Sequence, residues 1–203
     1  MSETLLPQRP TSARAEIASV EWLFEPFWAG ERLIVRIAAG DLSVIDESGR
    51  PAPTELRPIG ELVRAAVSAE SALIDGVWTT LPGQIDEDVA ADARAFVAVD
   101  LMELDGTPLL DVPLQERRRL LESVVAERVQ VRVSPAVKQP IGGWLIGWRA
   151  NGFSHYVAKH QNARYASGER TEDWLKMRLQ VDEPIGFVAR LTGSRERVRR
   201  IRD

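Results

Sequence analysis

Few side chains in this sequence belong to the types that carry out covalent or metal chemistry. The chain has no cysteine and only two histidines, so a disulfide, a thiolate zinc site and a thiol nucleophile are excluded. His155 and His160 lie five positions apart in the segment SHYVAKH, and this odd spacing places them on opposite faces of an extended strand. We therefore expect no shared metal site from this pair.

Sequence motifs of several large enzyme classes are also missing. No serine stands in a GxSxG context, and no glycine-rich loop fits GxxxxGK or GxGxxG. These absences argue against hydrolase, phosphate-loop kinase and dinucleotide-binding functions. The amine nucleophiles that remain are three lysines, Lys138, Lys159 and Lys176, among 26 basic residues.

The charge balance bears on the partner of the protein. Thirty acidic residues outweigh the basic ones and give a formal net charge of −4. A surface that wraps duplex DNA is normally basic, so strong nucleic-acid affinity is disfavoured. No apolar run reaches the length of a membrane span, and the first residues lack a signal peptide, so we expect a soluble cytoplasmic protein with no membrane contact.

Hydrophobic patterning predicts hairpins, short strands and crossing helices, which indicate an α+β domain. The pair Asp75-Gly76 is predicted to end a buried strand in a turn. Residues 113–129, PLQERRRLLESVVAERV, predict an amphipathic helix whose charges lie opposite its leucines and valines. The other predicted elements are a hairpin at 31–37 and 42–45, helices at 56–69 and 144–150, and strands at 71–75, 95–102, 129–134, 154–160, 174–181 and 185–191.

Five separated segments, in order, resemble the motifs of one family. EPFWAGER at 25–32 is similar to EPKxDGxR, and LIDGVWT at 73–79 to LDGELV. Residues 96–122, FVAVDLMELDGTPLLDVPLQERRRLLE, are similar to FVAFDLLYLDGxxLxxxPxxERRxLLE, and this stretch is the most specific. SHYVAKH at 154–160 resembles EGVVAKR, and DWLKMR at 173–178 resembles DWLKVK. Over roughly residues 20–192 the chain thus resembles the adenylation domain of ATP-dependent DNA ligases, a nucleotidyltransferase (ATP-grasp-like) fold of antiparallel sheets and packed helices.

The resemblance implies a specific covalent step. In that family a lysine amine attacks the α-phosphate of ATP, and the adenylate then passes to the 5′-phosphate of a nick. Phe27 occupies the position of this lysine, and a phenyl ring has no lone pair to donate. None of the three lysines is near enough to take its place, and the guanidinium of Arg32 stays protonated. We therefore expect no catalytic residue here.

Other positions of the family pocket also differ. The resemblance implies that they once supplied metal ligands, an adenine-stacking ring and a phosphate-facing arginine, and none of these types is present. The positions hold Ala29, Val77 and Ser154 for carboxylates, Val99 for the aromatic ring and Glu47 for the arginine.

Several polar residues of the pocket are retained, and two interpretations of them stay open. The resemblance implies that they converge on the former phosphate pocket and bind an anion or a nucleotide, such as ATP, without metal. The alternative is that they pair with nearby carboxylates or lie in solvent. Filling of the pocket by the aromatic rings of residues 27 and 28 would end the nucleotide interpretation. The retained residues are Glu25, Arg32, Lys159, Lys176 and Arg178.

Two further features have alternative explanations. Trp144 and Trp148 lie four apart on one helical face, and they either pack in the core or form a docking surface for a partner. The tail 193–203 is dense in arginine and is either solvated or in weak contact with a phosphate backbone.

These observations predict three segments: a flexible N-terminal arm at 1–18, a ligase-like adenylation domain at 19–192 and the arginine-rich tail at 193–203. About 25 residues follow the last motif, too few for an OB-fold domain. We expect a protein that does not adenylylate itself, requires no cofactor and acts as a binding or scaffold module in a setting such as DNA repair. Its expected partner is a protein, either an active ligase or another repair factor. The alternative is a nucleotide sensor or residual enzyme that uses Lys159 and Lys176.

Overall fold

The computed structural model describes residues 5–14, 17–82 and 93–179. Within these ranges the chain forms two sheets and three α-helices, which confirms the α+β class. The predicted strand at 185–191 and the arginine-rich tail lie outside the described residues. In chain order the elements are β1 (Arg9–Ser12), β2 (Trp22–Pro26), β3 (Glu31–Ala38), β4 (Asp41–Asp46), α1 (Ile59–Ala66), β5 (Ala72–Thr80), β6 (Arg94–Leu104), β7 (Thr107–Pro108), α2 (Leu114–Val124), β8 (Val131–Val133), α3 (Gly142–Ala150), β9 (His155–His160) and β10 (Arg170–Arg178).

The two sheets differ in size and in the helices that cover them. One has the strand order β1-β10-β9-β2, and the other has the order β4-β3-β5-β6-β7, with β8 paired to β6. Helices α1 and α2 contact the larger sheet, whereas α3 packs by Trp148 against Phe24, Tyr156 and Met177 of the smaller one. The sheets meet through a cluster that includes Ile34, Leu73, Met102, Tyr165 and Trp174, because each sheet must bury its apolar face against another element. The candidate site lies between these two sheets.

The described part of the segment 1–18, for which the sequence predicts a flexible arm, contains β1. β1 pairs with β10 in parallel, and the Gln8 amide N–H donates to the hydroxyl of Tyr165 at 2.9 Å. Gln8 is buried, because its side chain and backbone both find partners in the fold. In the described part of the chain, no helix has the length and apolar character that crossing a bilayer requires.

The strand that contains Asp75-Gly76 is longer than predicted, and the expected turn is wrong. Both residues lie inside β5, which continues to Thr80, and a register shift in the pairing with β6 falls between them. A Cβ at Gly76 would lie 2.2 Å from the ring of Phe96. Glycine stands here because an aromatic ring from the neighbouring strand lies directly over the backbone. The predicted hairpin of β3 and β4 is confirmed.

Helix α2 also departs from its predicted pattern, because two of its charged residues are buried together with its leucines. Arg117 and Arg118 lie on the same buried side as Leu114 and Leu121. The Arg117 guanidinium donates two hydrogen bonds of 2.8 Å to the carboxylate of Asp100. Buried charge is tolerated here because each guanidinium has partners within the fold.

Two glycine-to-alanine substitutions test this packing. Gly76→Ala is expected to lower the free energy of unfolding by about 1–3 kcal/mol, because the added methyl overlaps the Phe96 ring. Gly147→Ala in α3 is expected to raise it by about 0.5–1 kcal/mol, because its Cβ meets nothing within 4 Å and alanine favours helix. Urea unfolding of both variants measures the two changes, and a Gly76→Ala variant as stable as wild type would contradict the packing described.

Candidate functional site

A small cavity between the two sheets contains three of the five retained polar residues. Its volume is about 30 Å³, room for about one or two water molecules. Pockets that bind drug-sized ligands have volumes of about 300–1,000 Å³. The cavity is lined by Pro10, Glu25, Pro26, Phe27, Trp28, Arg32, Val77, Val99, Val157, Lys159 and Trp174.

The centre of this cavity is an ion pair between Glu25 of β2 and Lys159 of β9. Their side chains are 2% and 3% exposed, and Lys159 Nζ lies 2.9 Å from Glu25 Oε1. The strand pairing brings them together, since β2 and β9 are antiparallel neighbours and Leu23 lies opposite Lys159. A buried ion pair persists only where its remaining donors and acceptors are also satisfied.

Neighbouring groups satisfy both ions. Lys159 Nζ donates to the carbonyl oxygen of Val99 at 3.1 Å and lies 4.2 Å from the ring centroid of Trp174. Burial lowers the pKa of Lys159, and the Glu25 carboxylate opposes that shift. A lysine ammonium has three N–H donors, so the carboxylate, the carbonyl and the ring face together leave no donor for a phosphate oxygen.

The carboxylate of Glu25 also connects this pair to Ser134 and, through Arg118, to α2. Glu25 Oε2 accepts from Ser134 Oγ at 2.8 Å, and Ser134 Oγ accepts from Trp28 Nε1 at 3.0 Å. Arg118 Nη1 donates to Glu25 Oε1 at 3.3 Å, and Arg118 Nη2 donates to the carbonyl oxygen of Ser134. The carboxylate therefore lies between two cations and a hydroxyl. We call Glu25, Lys159, Arg118 and Ser134 the buried ion network.

Arg32 of β3 belongs to a second ion pair, in which its partner Asp75 is buried and Arg32 itself is partly exposed. Its guanidinium donates to both oxygens of Asp75, with distances of 2.5 and 2.6 Å, and Tyr165 donates its hydroxyl to Asp75 at 2.7 Å. Burial lowers the pKa of Arg32, but the Asp75 carboxylate outweighs burial, so that the pKa lies above its ordinary value. Bidentate pairing of this kind commits the Nε–Nη2 edge of the guanidinium to a carboxylate of this chain.

Trp28 and Phe27 close the cavity on one side. The buried Trp28 ring packs edge-to-face on Phe153 at 4.9 Å between centroids. Phe27 also lines the cavity, and Lys176 Nζ is 3.4 Å from the centroid of its ring. A cation over an aromatic face is attracted by the ring quadrupole, so this contact holds the retained lysine over the ring that occupies the nucleophile position.

The structure therefore divides the five retained residues. Glu25, Arg32 and Lys159 meet in the cavity, but each is bound to an opposite charge. Lys176 lies over Phe27, and Arg178 lines a separate groove beside α3. Near these two cations the pKa of His155 is lowered, first by burial and then by their positive charges.

Sequence reasoning missed Arg118 and Ser134, which complete the buried ion network. Arg118 lies three positions before Leu121 and four after Leu114, and both leucines are buried. Residues at these spacings share one face of a helix, so the helical period within ERRRLL was a usable signal for its burial. Ser134 has no comparable signal, because it follows a three-residue strand in the sequence.

A comparison with known protein families agrees with this architecture. The family model described as ATP dependent DNA ligase domain matches residues 60–178, more than half of the chain. The chain belongs to this family. The match contains β5, β6, α2, β9 and β10, the elements that carry Asp75, Arg118 and Lys159.

Individual relatives give the same assignment for this ligase-family domain. It is 29% identical over 169 residues to the multifunctional non-homologous end joining DNA repair protein LigD of Mycobacterium tuberculosis, covering 80% of this chain and 22% of that protein. It is 28% identical to DNA ligase 2 of Methanosarcina acetivorans, covering 78% and 32%. The chain thus spans about a fifth to a third of these relatives.

Solved structures also resemble the fold. The structure described as mycobacterial DNA ligase D complexed with ATP and MES superposes with a TM-score of 0.68 at 26% identity, covering 86% of this chain and 60% of that one. The ligase domain from M. tuberculosis LigD gives a TM-score of 0.66 at 26% identity, covering 85% and 58%. The recognised family and the nucleotidyltransferase fold are therefore confirmed.

Substitutions in the buried ion network test its role in stability. Glu25→Gln is expected to lower the free energy of unfolding by about 3–5 kcal/mol, because it leaves the ammonium of Lys159 buried without its counter-charge. Combining it with Lys159→Met is expected to recover part of that loss. Chemical unfolding of the two single variants and the double variant measures the coupling.

The exposed pair of Glu116 and Arg119 is the matched control, with a 2.5 Å contact on α2. Glu116→Gln is expected to unfold at the same denaturant concentration as wild type, since exposed pairs contribute little. If Glu25→Gln and Glu116→Gln changed the free energy of unfolding equally, the buried ion network would not have the stabilising role described.

Proposed function

We propose that this ligase-family domain forms no covalent adenylate and acts by binding, as a module of DNA end-joining repair in the cytoplasm. The observation that supports this most strongly is the state of Lys159, whose ammonium is bound by Glu25 in a cavity of about 30 Å³. Three requirements of adenylate transfer are an amine nucleophile, cations for the phosphates and room for the nucleotide. Each of them is unmet in this cavity.

The nucleophile is the first requirement. The position at which the family carries its lysine holds Phe27, which has no lone pair to attack phosphorus. Lys176 Nζ lies 3.4 Å from the centroid of that ring, and Lys176 is not among the residues that line the cavity. The amine that does line the cavity, that of Lys159, is paired with Glu25.

Charge for the phosphates is the second requirement. Arg32 and Lys159 are already neutralised by Asp75 and Glu25. Their carboxylates in turn are bound by cations of this chain, so they offer few free oxygens to a hard cation such as Mg²⁺. A triphosphate entering here would have to displace two ion pairs, of which the pair of Glu25 and Lys159 is buried, and breaking a buried pair is strongly unfavourable.

Room for the nucleotide is the third requirement, and it also weighs against the nucleotide-sensor hypothesis. A relative, mycobacterial DNA ligase D, was solved in complex with ATP. In this chain Val77 and Val99 pack with Trp28, Val97 and Phe153 in one apolar cluster. Binding of a nucleotide would require this cluster to open, so a binding role without nucleotide fits the packing better.

The names of the relatives suggest the biological setting. The LigD proteins that match this chain are described as non-homologous end joining repair proteins. We therefore infer a protein partner from that process, either an active ligase or another repair factor. The arginine-rich tail could make weak contact with nucleic acid. We do not expect strong contact, because the whole chain has a net charge of −4 and proteins that bind DNA strongly are normally basic.

Labelling with ATP tests the central part of this proposal. The wild-type chain and the variant Phe27→Lys are incubated with α-labelled ATP and Mg²⁺ and separated on a denaturing gel, beside an active ATP-dependent ligase as positive control. Neither form is expected to carry label, because the pocket is occupied by packed side chains and paired ions even when an amine is restored.

The two possible labelled bands have different meanings. A heat-stable adenylate on the wild-type chain would overturn the proposed function. Label on Phe27→Lys alone would show that the pocket still accepts ATP, and the nucleophile would then be the single missing requirement.

A further inference from the structure

A groove separate from the site cavity lies beside α3. It has a volume of about 840 Å³ and is formed by one side of α3, the strands β9 and β10 and the residues that follow β1. Its apolar lining includes Leu145 and Ile146 of α3, Met177 of β10 and Leu179. None of the residues that line it also lines the site cavity, so the two features are independent.

The described residues of this groove carry positive charge. Arg14 and Arg178 line it, and none of the ten described residues that form it is acidic. The chain as a whole has a net charge of −4. A concave surface with one sign of charge concentrates partners of the other sign, so the arginines select an acidic occupant.

The outer surface of α3 is unusual for a surface helix. Trp148 packs in the core, whereas Trp144 is 51% exposed and Ile146 is 65% exposed. The helix also contains Gly142, Gly143 and Gly147, and a Cβ at any of the three would meet nothing within 4 Å. Helical glycines lower stability, and here they leave a flat face that the backbone of another segment can approach closely.

We propose that this groove binds an acidic amphipathic segment of a partner protein, with its apolar side chains on the leucine, isoleucine and methionine floor and its carboxylates on the arginines. The inference rests on the proposed binding function and names the surface that performs it. Recognition by apolar anchors in a groove with complementary charge at its edges is a general mode of peptide binding. A phosphate backbone would match the arginines but would leave the apolar floor without a partner, so we favour protein over nucleic acid.

Selection from a displayed library of random 16-residue peptides tests the proposal with the full chain. The recovered peptides are expected to be enriched in Asp and Glu and in Leu, Ile and Phe. One recovered peptide is then titrated by fluorescence anisotropy. Arg178→Glu and Ile146→Glu are each expected to weaken its binding by about tenfold or more, as for central interface residues.

The turn between α2 and β8 offers a matched control for each variant. Arg128→Glu makes the same charge change at another exposed arginine, and Val129→Glu makes the apolar-to-acidic change at a residue with 62% exposure. Both controls are expected to bind the peptide as wild type does. Unfolding curves for the four variants establish that they remain folded.

Other results would overturn the proposal that the groove binds an acidic peptide segment. Recovery of no enriched peptide, or peptides that bind all four variants equally, would reject it and leave the adenylylation result standing. Binding of a 16-nucleotide single-stranded DNA that is lost with Arg178→Glu and Ile146→Glu, with no such peptide recovered, would assign the surface to nucleic acid. Failure of the proposed function would instead be seen as label on the wild-type chain in the ATP assay.

Discussion

The ion pair between Glu25 and Lys159 is the constraint on which the arrangement of the site depends. Two charges at 2% and 3% exposure are stable in a protein interior only when hydrogen bonds replace most of the water that each has lost. Arg118, Ser134 and the Val99 carbonyl supply those bonds. The pair thereby fixes β2 against β9, brings a cation from α2 to the same carboxylate, and commits two polar side chains of the cavity to each other.

Apolar residues line the same cavity as these ion pairs. Val77 and Val99 stand where the family resemblance predicts a carboxylate and an aromatic ring, and both pack with Trp28. Branched aliphatic side chains on adjacent strands exclude water, which strengthens the neighbouring ion pairs. Under the proposed function, the absence of the family nucleophile and metal ligands and the small volume of the cavity are connected by this packing. The surface that we propose for binding lies instead beside α3, which carries three glycines and the exposed Trp144 and Ile146.

Much of the fold was predictable, because it depends on local signals. The β3–β4 hairpin, the presence of α2 after Pro113 and the end of α3 near Gly152 follow from alternation, helical period and turn residues. The continuation of β5 through Asp75-Gly76 was not, because it depends on a ring from another strand. In the site, too, local motifs were readable from the sequence and contacts between distant elements were not. Motif comparison identified Glu25, Arg32 and Lys159, but sequence alone left open whether they face a ligand or each other, since that choice is made by side chains from distant elements.

The central claim is that Lys159 is bound to Glu25 and is not reached by a nucleotide. NMR of the lysine ammonium groups tests it most directly, because the chain has only three lysines. With ¹⁵N-labelled lysine, the ammonium signal of Lys159 is followed by NMR as ATP and Mg²⁺ are added, with Lys138 as the exposed reference. The account predicts that the Lys159 signal stays at its position up to millimolar ATP, since its donors are bound to Glu25, Val99 and the Trp174 ring. A saturable shift of Lys159, absent from Lys138, would show that the nucleotide reaches this amine and would contradict the closed site.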